Sequence, residues 1–117
     1  MKSISNLISG IFSGIGSNSQ NNSDKHINLK RSEILVIDCR TQGEYNSGHI
    51  EGAILIPYDI IGTKISNVAK KKDQPIALYC RSGSRSRAAL SAIQELGYIN
   101  AVNYGSYSNA KSKLDSK

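Results

Sequence analysis

Residues 75–80 read PIALYC, and the chain continues from residue 81 to 96 as RSGSRSRAALSAIQEL. The first part is a short apolar run, as expected of a strand that is covered on both faces of a sheet. The second part places apolar residues on one helical face, at Ala89, Ala92, Ile93 and Leu96. Gly97 is typical of the residue that follows a helix. This stretch therefore predicts a buried strand, a tight loop, and a helix that begins near residues 84–86 and ends at Leu96.

Three further apolar runs predict strands on either side of this unit. They are ILVIDC (34–39), AILIP (53–57) and AVNY (101–104). Between them, residues 41–48 predict a short helix that stops at Gly48, and residues 58–69 carry apolar side chains at helical spacing. Strands that alternate with helices imply right-handed crossovers and a parallel sheet. We therefore expect a three-layer α/β fold, with helices on both faces of a central parallel sheet of about five strands.

The composition indicates one small domain with an aliphatic core. The chain has 117 residues, no Trp and a formal net charge of +6. Part of this charge lies in two lysine groups that we interpret as solvated surface, Lys70–Lys72 and the tail residues Lys111, Lys113 and Lys117. Nucleic-acid binding would require basic residues interleaved with stacking aromatic side chains, or a recognisable binding module. The sequence shows neither, so we expect no nucleic-acid partner. We also expect a monomer.

The first 25 residues differ from the rest of the chain, and we place the folded domain at residues 26–117. Apolar residues recur in the first segment at helical spacing, at Ile4, Leu7, Ile8, Ile11, Phe12 and Ile15. Three interpretations stay open: an amphipathic helix that contacts a membrane or a partner, a degenerate export signal, or a flexible extension. The polar interruptions exclude a transmembrane span. We expect a cytoplasmic protein, with a periplasmic or membrane-surface location as the alternative if the segment is a signal or an anchor.

The two cysteines, Cys39 and Cys80, both stand at the predicted carboxyl ends of strands. Ligands bind at this edge of open parallel sheets, so each cysteine is a candidate site residue. Neither belongs to a CxxC pair, and His26 and His49 do not stand at ligand spacing from either thiol. We therefore expect no metal site. The cysteine count is compatible with one disulfide or with a reactive thiol.

The segment that follows Cys80 predicts a loop that binds anions. Where a strand leads into a helix, backbone N–H groups remain unpaired and the helix adds a partial positive charge. Gly83 lets the backbone curl, Arg81 and Arg85 add charge, and hydroxyl donors come from Ser82, Ser84 and Ser86. Such surroundings favour the thiolate, which is the nucleophilic form of cysteine, and the same donors can hold an oxyanion leaving group. We therefore predict that Cys80 is catalytic and that residues 81–86 bind the substrate.

Spacing separates two enzyme families that place a cysteine in such a loop. The loop resembles that of protein tyrosine phosphatases, but their motif is Cys-x5-Arg, whereas here the sixth residue after Cys80 is Ser86 and the arginine is Arg85. CRSGSR (80–85) is instead similar to the Cys-Arg-x-Gly-x-Arg loop of small single-domain rhodaneses. Two more stretches resemble motifs of the same family in the same order, IDCRTQGEY (37–45) and GHIEGAILIP (48–57). The resemblance covers about residues 30–105 and is closest to the phage-shock-protein-E type.

The resemblance implies a rhodanese-like fold and thiosulfate sulfurtransferase activity. In that chemistry Cys80 attacks the outer sulfur of thiosulfate, forms a persulfide and releases sulfite, and cyanide or another thiophile then takes the sulfur. The amides from Arg81 to Ser86 would hold the persulfide, and Arg81 and Arg85 would attract the anionic donor. The resemblance implies no metal and no organic cofactor. The alternative is a sulfur carrier, in which Cys80 receives persulfide sulfur from one protein and passes it to another.

The resemblance also implies architectural roles for Asp38, Arg40, Glu44 and His49. We expect Asp38 and Arg40 to pair near the end of their strand, and His49 to hydrogen-bond the backbone of the following turn. One departure from the family lies after Gly105, where the chain lacks the usual second glycine and the later Trp. The sequence therefore specifies the closing helix poorly.

Cys39 stands where the family usually has an aliphatic residue. We interpret it as a small core residue. The alternative is a thiol that forms a disulfide with Cys80 after oxidation, which would require Cα atoms within about 7 Å of each other.

Overall fold

The computed structural model describes residues 23–117, in which strands and helices alternate. The strands are β1 (Leu35–Asp38), β2 (Ile54–Leu55), β3 (Ile76–Cys80) and β4 (Ala101–Ser106). The helices are α1 (Gln42–Asn46), α2 (Ile61–Val68), α3 (Ser84–Glu95) and α4 (Tyr107–Asp115). Two 3-10 helices, Ser23–His26 and Arg31–Glu33, precede β1. Residues 1–22 of the N-terminal segment (residues 1–25), and with them the apolar positions on which its interpretations rest, lie outside the described residues.

The sheet has the order β2-β1-β3-β4, and every neighbouring pair is parallel. This confirms the predicted α/β fold with a central parallel sheet. Within residues 23–117 the sheet contains four strands, whereas about five were expected. Each of the four apolar runs in the sequence forms one strand, and the residues just before β1 form 3-10 helices instead of a further strand.

The core lies on both faces of the sheet, and helices cover each face. All five residues of β3 are buried, and their side chains point alternately to the two sides. Ile37, Leu78 and Cys80 face the cluster that includes Ile61 of α2 and Ile93 of α3. The opposite cluster contains side chains of β1, β3, β4 and α4, among them Val36, Tyr79, Val102, Tyr104, Ala110 and Leu114. The central strand β3 therefore carries Cys80 to the edge of a sheet that is covered on both faces.

The chain closes with α4, the helix that the sequence specified poorly. Its N-cap is Ser106, whose side chain accepts a hydrogen bond from the Asn109 backbone N–H. Ala110 and Leu114 lie one helical turn apart and are both buried against the sheet. The longest described helix, α3, has 12 residues, and the helices of residues 23–117 are all too short or too polar to cross a membrane.

Candidate active site

Cys80 is the last residue of β3, at the carboxyl edge of the sheet. Because β3 lies between β1 and β4, the ends of both neighbouring strands flank the loop that follows. On the β4 side, Ser82 forms an isolated backbone bridge with Ser106. The loop then enters α3 at Ser84. This topology places the predicted anion-binding loop where open parallel sheets bind their ligands.

Hydrogen-bond donors surround the Cys80 sulfur. The backbone N–H of Gly83 donates to Sγ at 2.9 Å, and the backbone N–H of Ser86 lies 3.4 Å from it. The Ser86 hydroxyl Oγ is 3.5 Å from Sγ. Burial alone raises the pKa of the Cys80 thiol, but the bonds from Ser86, Gly83 and the Ser82 N–H outweigh burial and lower it. The structure therefore favours a thiolate at this position.

The Ser86 hydroxyl connects the loop to β4. It lies 2.7 Å from Oδ1 of Asn103 and 3.1 Å from the Gly83 carbonyl, in addition to its contact with Sγ. One hydroxyl has one hydrogen, so it donates to only one of these three acceptors at a time. The backbone N–H groups are consequently the permanent donors to Sγ, and the hydroxyl is an additional donor when it turns toward the sulfur.

Gly83 adopts a backbone conformation that only glycine takes without strain. Its φ is +102°, and a Cβ at this position would lie 3.4 Å from Cα of Gly105. Asn103 of β4 holds this turn in place, because its Nδ2 donates to the Gly83 carbonyl at 3.1 Å and its Oδ1 accepts from the Gly105 N–H at 2.9 Å. Sequence reasoning missed Asn103. The available signal was one amide side chain in the apolar run AVNY (101–104).

Arg85 forms a two-bond ion pair with Glu44 of α1. Nη1 and Nη2 of the guanidinium lie 2.9 and 3.0 Å from the two carboxylate oxygens. Thr41 fixes Glu44 from the other side, since the Thr41 N–H donates to Oε1 in a capping box. The hydrogen bonds from Arg85, followed by that from Thr41, lower the pKa of Glu44 to about 2. Glu44, expected to be architectural, therefore positions a predicted substrate-binding arginine.

The other predicted substrate-binding residues present their side chains to solvent. Arg81, Ser82 and Ser84 are exposed, and the hydroxyls of the two serines lie 3.3 Å apart. Arg85 is half-buried, and the hydrogen bond with Glu44 first and the neighbouring Cys80 further raise the pKa of its guanidinium. Gly83, Arg85 and Ser86 therefore lie near the sulfur, whereas the side chains of Arg81, Ser82 and Ser84 are exposed to solvent around the loop.

The expected pairing of Asp38 with Arg40 is confirmed. Arg40 Nη2 lies 2.7 Å from Asp38 Oδ2, and both side chains are buried. The Tyr79 hydroxyl donates to the same carboxylate oxygen at 2.8 Å. His49 was expected to hydrogen-bond the backbone of the following turn. Its Nδ1 instead bonds the Tyr45 carbonyl at 2.8 Å, in the preceding helix α1, and the rings of Tyr45 and His49 stack.

Cys39 lies beside Cys80 on the adjacent strand. Asp38 pairs with Tyr79 in the β1–β3 register, and the Cys39 N–H donates to the Tyr79 carbonyl at 2.9 Å. Neighbouring strands are separated by about 4.8 Å, which is within the range of Cα separations that disulfides span. Both thiols are free and belong to the same buried cluster. Burial, with the neighbouring Cys80 and Asp38, raises the pKa of the Cys39 thiol, which makes Cys39 a core residue rather than a nucleophile.

The arrangement is suited to nucleophilic chemistry on anions. A thiolate whose sulfur accepts backbone N–H bonds can attack an electrophilic sulfur, and the same N–H groups can hold the negative charge of the product. Within residues 23–117 no group of three or more His, Cys, Asp or Glu side chains is placed to hold a metal ion.

Comparison with known proteins agrees with this geometry. A family model described as a rhodanese-like domain matches residues 22–113. A sulfurtransferase of Allochromatium vinosum is 34% identical over 71 residues, which cover 61% of this chain and 64% of that protein. The thiosulfate sulfurtransferase PspE of Escherichia coli is 32% identical over 69 residues, which cover 59% of this chain and 66% of that protein. The chain thus spans slightly less than two thirds of the length of these two curated relatives.

A solved structure supports the same assignment. It is a rhodanese with anions from E. coli, with a TM-score of 0.63 and 29% sequence identity, and the alignment covers 65% of this chain and 89% of that one. The family match extends over most of the chain, including the whole sheet and the Cys80 loop. This protein therefore belongs to the rhodanese-like domain family.

Proposed function

We propose that the protein is a sulfurtransferase that carries sulfane sulfur as a persulfide on Cys80. The proposed donor is thiosulfate, and the proposed acceptor is cyanide or another thiophile. The observation that supports this function most directly is the pair of backbone N–H groups, of Gly83 and Ser86, that point at Sγ. A thiolate and the outer sulfur of a persulfide both carry negative charge, so the same donors stabilise both states. The similarity to the thiosulfate sulfurtransferase PspE of Escherichia coli supports the choice of donor.

The reaction proceeds in two displacements at sulfur. In the first, Cys80 Sγ bonds to the outer sulfur of thiosulfate, the S–S bond of thiosulfate breaks, and sulfite leaves with the electron pair. In the second, the acceptor bonds to the outer sulfur of the persulfide, and Cys80 leaves as a thiolate. Arg81 and Arg85 attract the anionic donor, while the loop from Ser82 to Ser86 supplies the N–H groups.

The test is an assay of the full chain with thiosulfate and cyanide, in which thiocyanate is measured. We expect turnover, and we expect Cys80→Ser to abolish it because a hydroxyl forms no persulfide. Cys39→Val is the matched control, since it replaces the neighbouring buried thiol with an aliphatic side chain and leaves the loop intact. Residual thiocyanate production by Cys80→Ser would contradict the assignment of the nucleophile.

A protein-to-protein sulfur carrier is the second candidate, favoured by exposed apolar side chains close to the site. Tyr58 and Ile60 are 41% and 42% exposed. The Tyr58 N–H donates to the Cys39 carbonyl at 3.1 Å, which places Tyr58 at the end of β1, beside the strand that ends at Cys80. Absence of thiosulfate turnover, together with rapid transfer of persulfide sulfur from a partner protein to Cys80, would favour the carrier.

A further inference from the structure

The Ser86 hydroxyl differs from the backbone donors to Cys80 because it can turn. Ser86 is fully buried, so its hydroxyl hydrogen goes to a nearby protein acceptor rather than to bulk water. Among the described residues, three acceptors lie within 3.5 Å of Oγ: Asn103 Oδ1 at 2.7 Å, the Gly83 carbonyl at 3.1 Å and Cys80 Sγ at 3.5 Å. The strength of the bond from this hydroxyl to Sγ therefore depends on the other two acceptors.

The Gly83 carbonyl is already occupied by two other donors. The Arg87 backbone N–H donates to it at 3.0 Å, and Asn103 Nδ2 donates to it at 3.1 Å. A carbonyl oxygen has two lone pairs, so these two N–H groups fill its capacity to accept. The Ser86 hydroxyl hydrogen is consequently shared between Asn103 and Cys80.

The neighbours of Asn103 determine which way its side-chain amide points. One amide atom lies 2.9 Å from the Gly105 N–H, which can only donate, and the other lies 3.1 Å from the Gly83 carbonyl, which can only accept. The first atom is therefore the oxygen Oδ1, and the second is the nitrogen Nδ2. Because Oδ1 is also the atom that faces Ser86, the hydroxyl donates in that contact and Asn103 accepts.

Asn103 and Cys80 are closely matched as acceptors of this hydrogen. The 2.7 Å distance to Oδ1 is the ordinary length of an O–H···O hydrogen bond. Sγ lies farther away, but a thiolate is charged, and hydrogen bonds to a charged acceptor are about twice as strong as neutral ones. Neither acceptor therefore takes the hydrogen completely, and removal of one should transfer it to the other.

We propose that Asn103 is a positioning residue for the reactive sulfur: it competes with Sγ of Cys80 for the Ser86 hydroxyl hydrogen and thereby limits how strongly the thiolate is stabilised. The inference rests on the proposed function, in which this thiolate attacks the sulfur donor. A thiolate that receives stronger hydrogen bonds has a lower pKa, and it becomes about threefold less nucleophilic for each unit of pKa. Asn103 thus keeps Cys80 reactive while the backbone N–H groups keep it ionised.

The charged and titratable groups that face Cys80 keep their charge state while Cys80 ionises. Burial raises the pKa of Cys39, which lies beside Cys80 at the end of β1. The hydrogen bond with Glu44 raises the pKa of Arg85 on α3, and the pKa of Glu44 is about 2. On the β4 side Asn103 is neutral. The ionisation midpoint of Cys80 between about pH 4 and 10 therefore reports the hydrogen bonds to its sulfur.

A double-mutant cycle tests the competition. Asn103→Leu is made in the full chain, alone and together with Ser86→Ala, and the midpoint of Cys80 labelling by iodoacetamide is measured by peptide mapping. Leucine has a similar size and no acceptor. With Ser86 present we expect the midpoint to lie about 0.5 to 1 unit lower than the change in the Ser86→Ala background predicts. Any displacement of the turn at Gly83 occurs in both backgrounds and cancels. Equal changes in the two backgrounds would make Asn103 a purely structural residue and would overturn the proposal.

Asn103→Asp provides a second variant with the opposite expected sign. A carboxylate is a stronger acceptor than an amide, so it should hold the Ser86 hydroxyl more firmly. The midpoint should then lie higher with Ser86 present than the change in the Ser86→Ala background predicts. Asn109→Leu is the matched control, because in the described part of the chain its Nδ2 donates to the Tyr104 carbonyl, at 2.8 Å, rather than to the Ser86 contacts. A dependence on Ser86 in this control as large as that of Asn103→Leu would contradict the specific role.

Failure of the proposed function has a separate signature. Iodoacetamide labelling needs no sulfur donor, so the cycle tests Asn103 whether or not thiosulfate reacts. Intact mass after incubation of the unmodified protein with thiosulfate shows whether Cys80 gains one sulfur. No added sulfur together with the expected cycle would overturn the donor assignment and leave the role of Asn103 standing. Added sulfur with equal changes in both backgrounds would overturn the inference alone.

Discussion

Two cysteines with the same burial differ in their chemistry because of the hydrogen bonds that reach them. Cys39 follows directly after β1, Cys80 ends the neighbouring strand β3, and both are fully buried. Burial raises the pKa of each, but Cys80 also receives hydrogen bonds from Ser86 and Gly83, which lower its pKa overall. A few N–H and O–H groups at 2.9–3.5 Å therefore favour the thiolate at Cys80 over that at Cys39.

Alkylation tests this contrast at the residue scale. Because the pKa of Cys80 is lowered, its labelling by iodoacetamide should rise at a lower pH than for an ordinary thiol, and at pH 7 Cys80 should react faster than Cys39. Ser86→Ala removes one donor, so the labelling midpoint should move up, and each unit of movement slows labelling at pH 7 by up to about tenfold. Peptide mapping by mass spectrometry measures both sites. Ser91→Ala, an exposed change on the same helix, is the control. Equal and slow labelling of both cysteines would contradict the donor argument.

At the scale of elements, the loop and α3 form one unit. The N-cap of α3 is Gly83, which has a left-handed conformation and no capping side chain. The first N–H groups of a helix have no partner within it. Here two N–H groups at the start of α3, those of Gly83 and Ser86, are directed at Cys80 Sγ. The sulfur therefore takes the place of a capping side chain, and the shape of the turn at Gly83 determines whether it can.

Gly83→Ala tests the turn. A residue with Cβ is strained at a φ of +102° and contacts Gly105, so we expect the free energy of unfolding to fall by about 1–3 kcal/mol. We expect sulfur transfer to fall further, by about tenfold or more, because relaxing the strain moves the N–H that donates to Sγ. Urea unfolding and initial rates measure the two effects.

The control for this variant is Gly62→Ala. Gly62 lies inside α2 with no heavy atom within 4 Å of an added Cβ. Alanine is favoured over glycine in a helix, so this change should stabilise the protein by about 0.5–1 kcal/mol and leave activity unchanged. A Gly83→Ala variant with full activity would show that the left-handed turn is dispensable.

At the scale of the whole molecule, the two ends of the described chain meet on β4. His26 is buried and bonds the Tyr104 hydroxyl at 3.0 Å and the Asn100 carbonyl at 2.9 Å. Lys117 Nζ donates to the His26 carbonyl at 2.6 Å. The 3-10 helix Ser23–His26 is thereby attached to β4, the strand that also carries Asn103, and Lys117 is attached to that 3-10 helix.

The buried histidine predicts a loss of stability in mild acid. Burial lowers the pKa of His26, and the nearby Lys117 and Lys25 act in the same direction. The unfolded chain then binds a proton near pH 6.5 while folded His26 stays neutral, so stability is lost as the pH falls below about 6.5. The free energy of unfolding should fall by at most about 1.4 kcal/mol per pH unit from this group.

Urea unfolding between pH 5 and 7.5 measures this effect. His26→Asn should reduce the pH dependence, even though it lowers stability at every pH by removing a buried side chain. His49→Asn, a change at the exposed histidine, should keep the slope of the unmodified protein. An unchanged slope in His26→Asn would assign the acid sensitivity to other groups.

Local signals made much of this fold predictable. Apolar runs and helical spacing identified the four strands and the three helices up to residue 96, and α3 occupies Ser84–Glu95, one residue short of the predicted end. The loop from Cys80 to Ser86 was identified because its cysteine, glycine and arginines are contiguous. The family motifs also predicted the ion pair between Asp38 and Arg40, which are two residues apart in the chain.

The sequence by itself thus determined the kind and order of the elements and the position of the Cys80 loop, because these depend on residues close together in the chain. Only the tertiary structure decided which distant groups surround that loop. Glu44 holds Arg85 from 41 positions away, and Asn103 holds Gly83 from 20 positions away. These contacts depend on the order β2-β1-β3-β4, which places β3 between β4, the next strand in sequence, and β1, which is separated from it in sequence by β2. Periodicity reports whether a strand is buried, but it carries no information about which strands lie beside it.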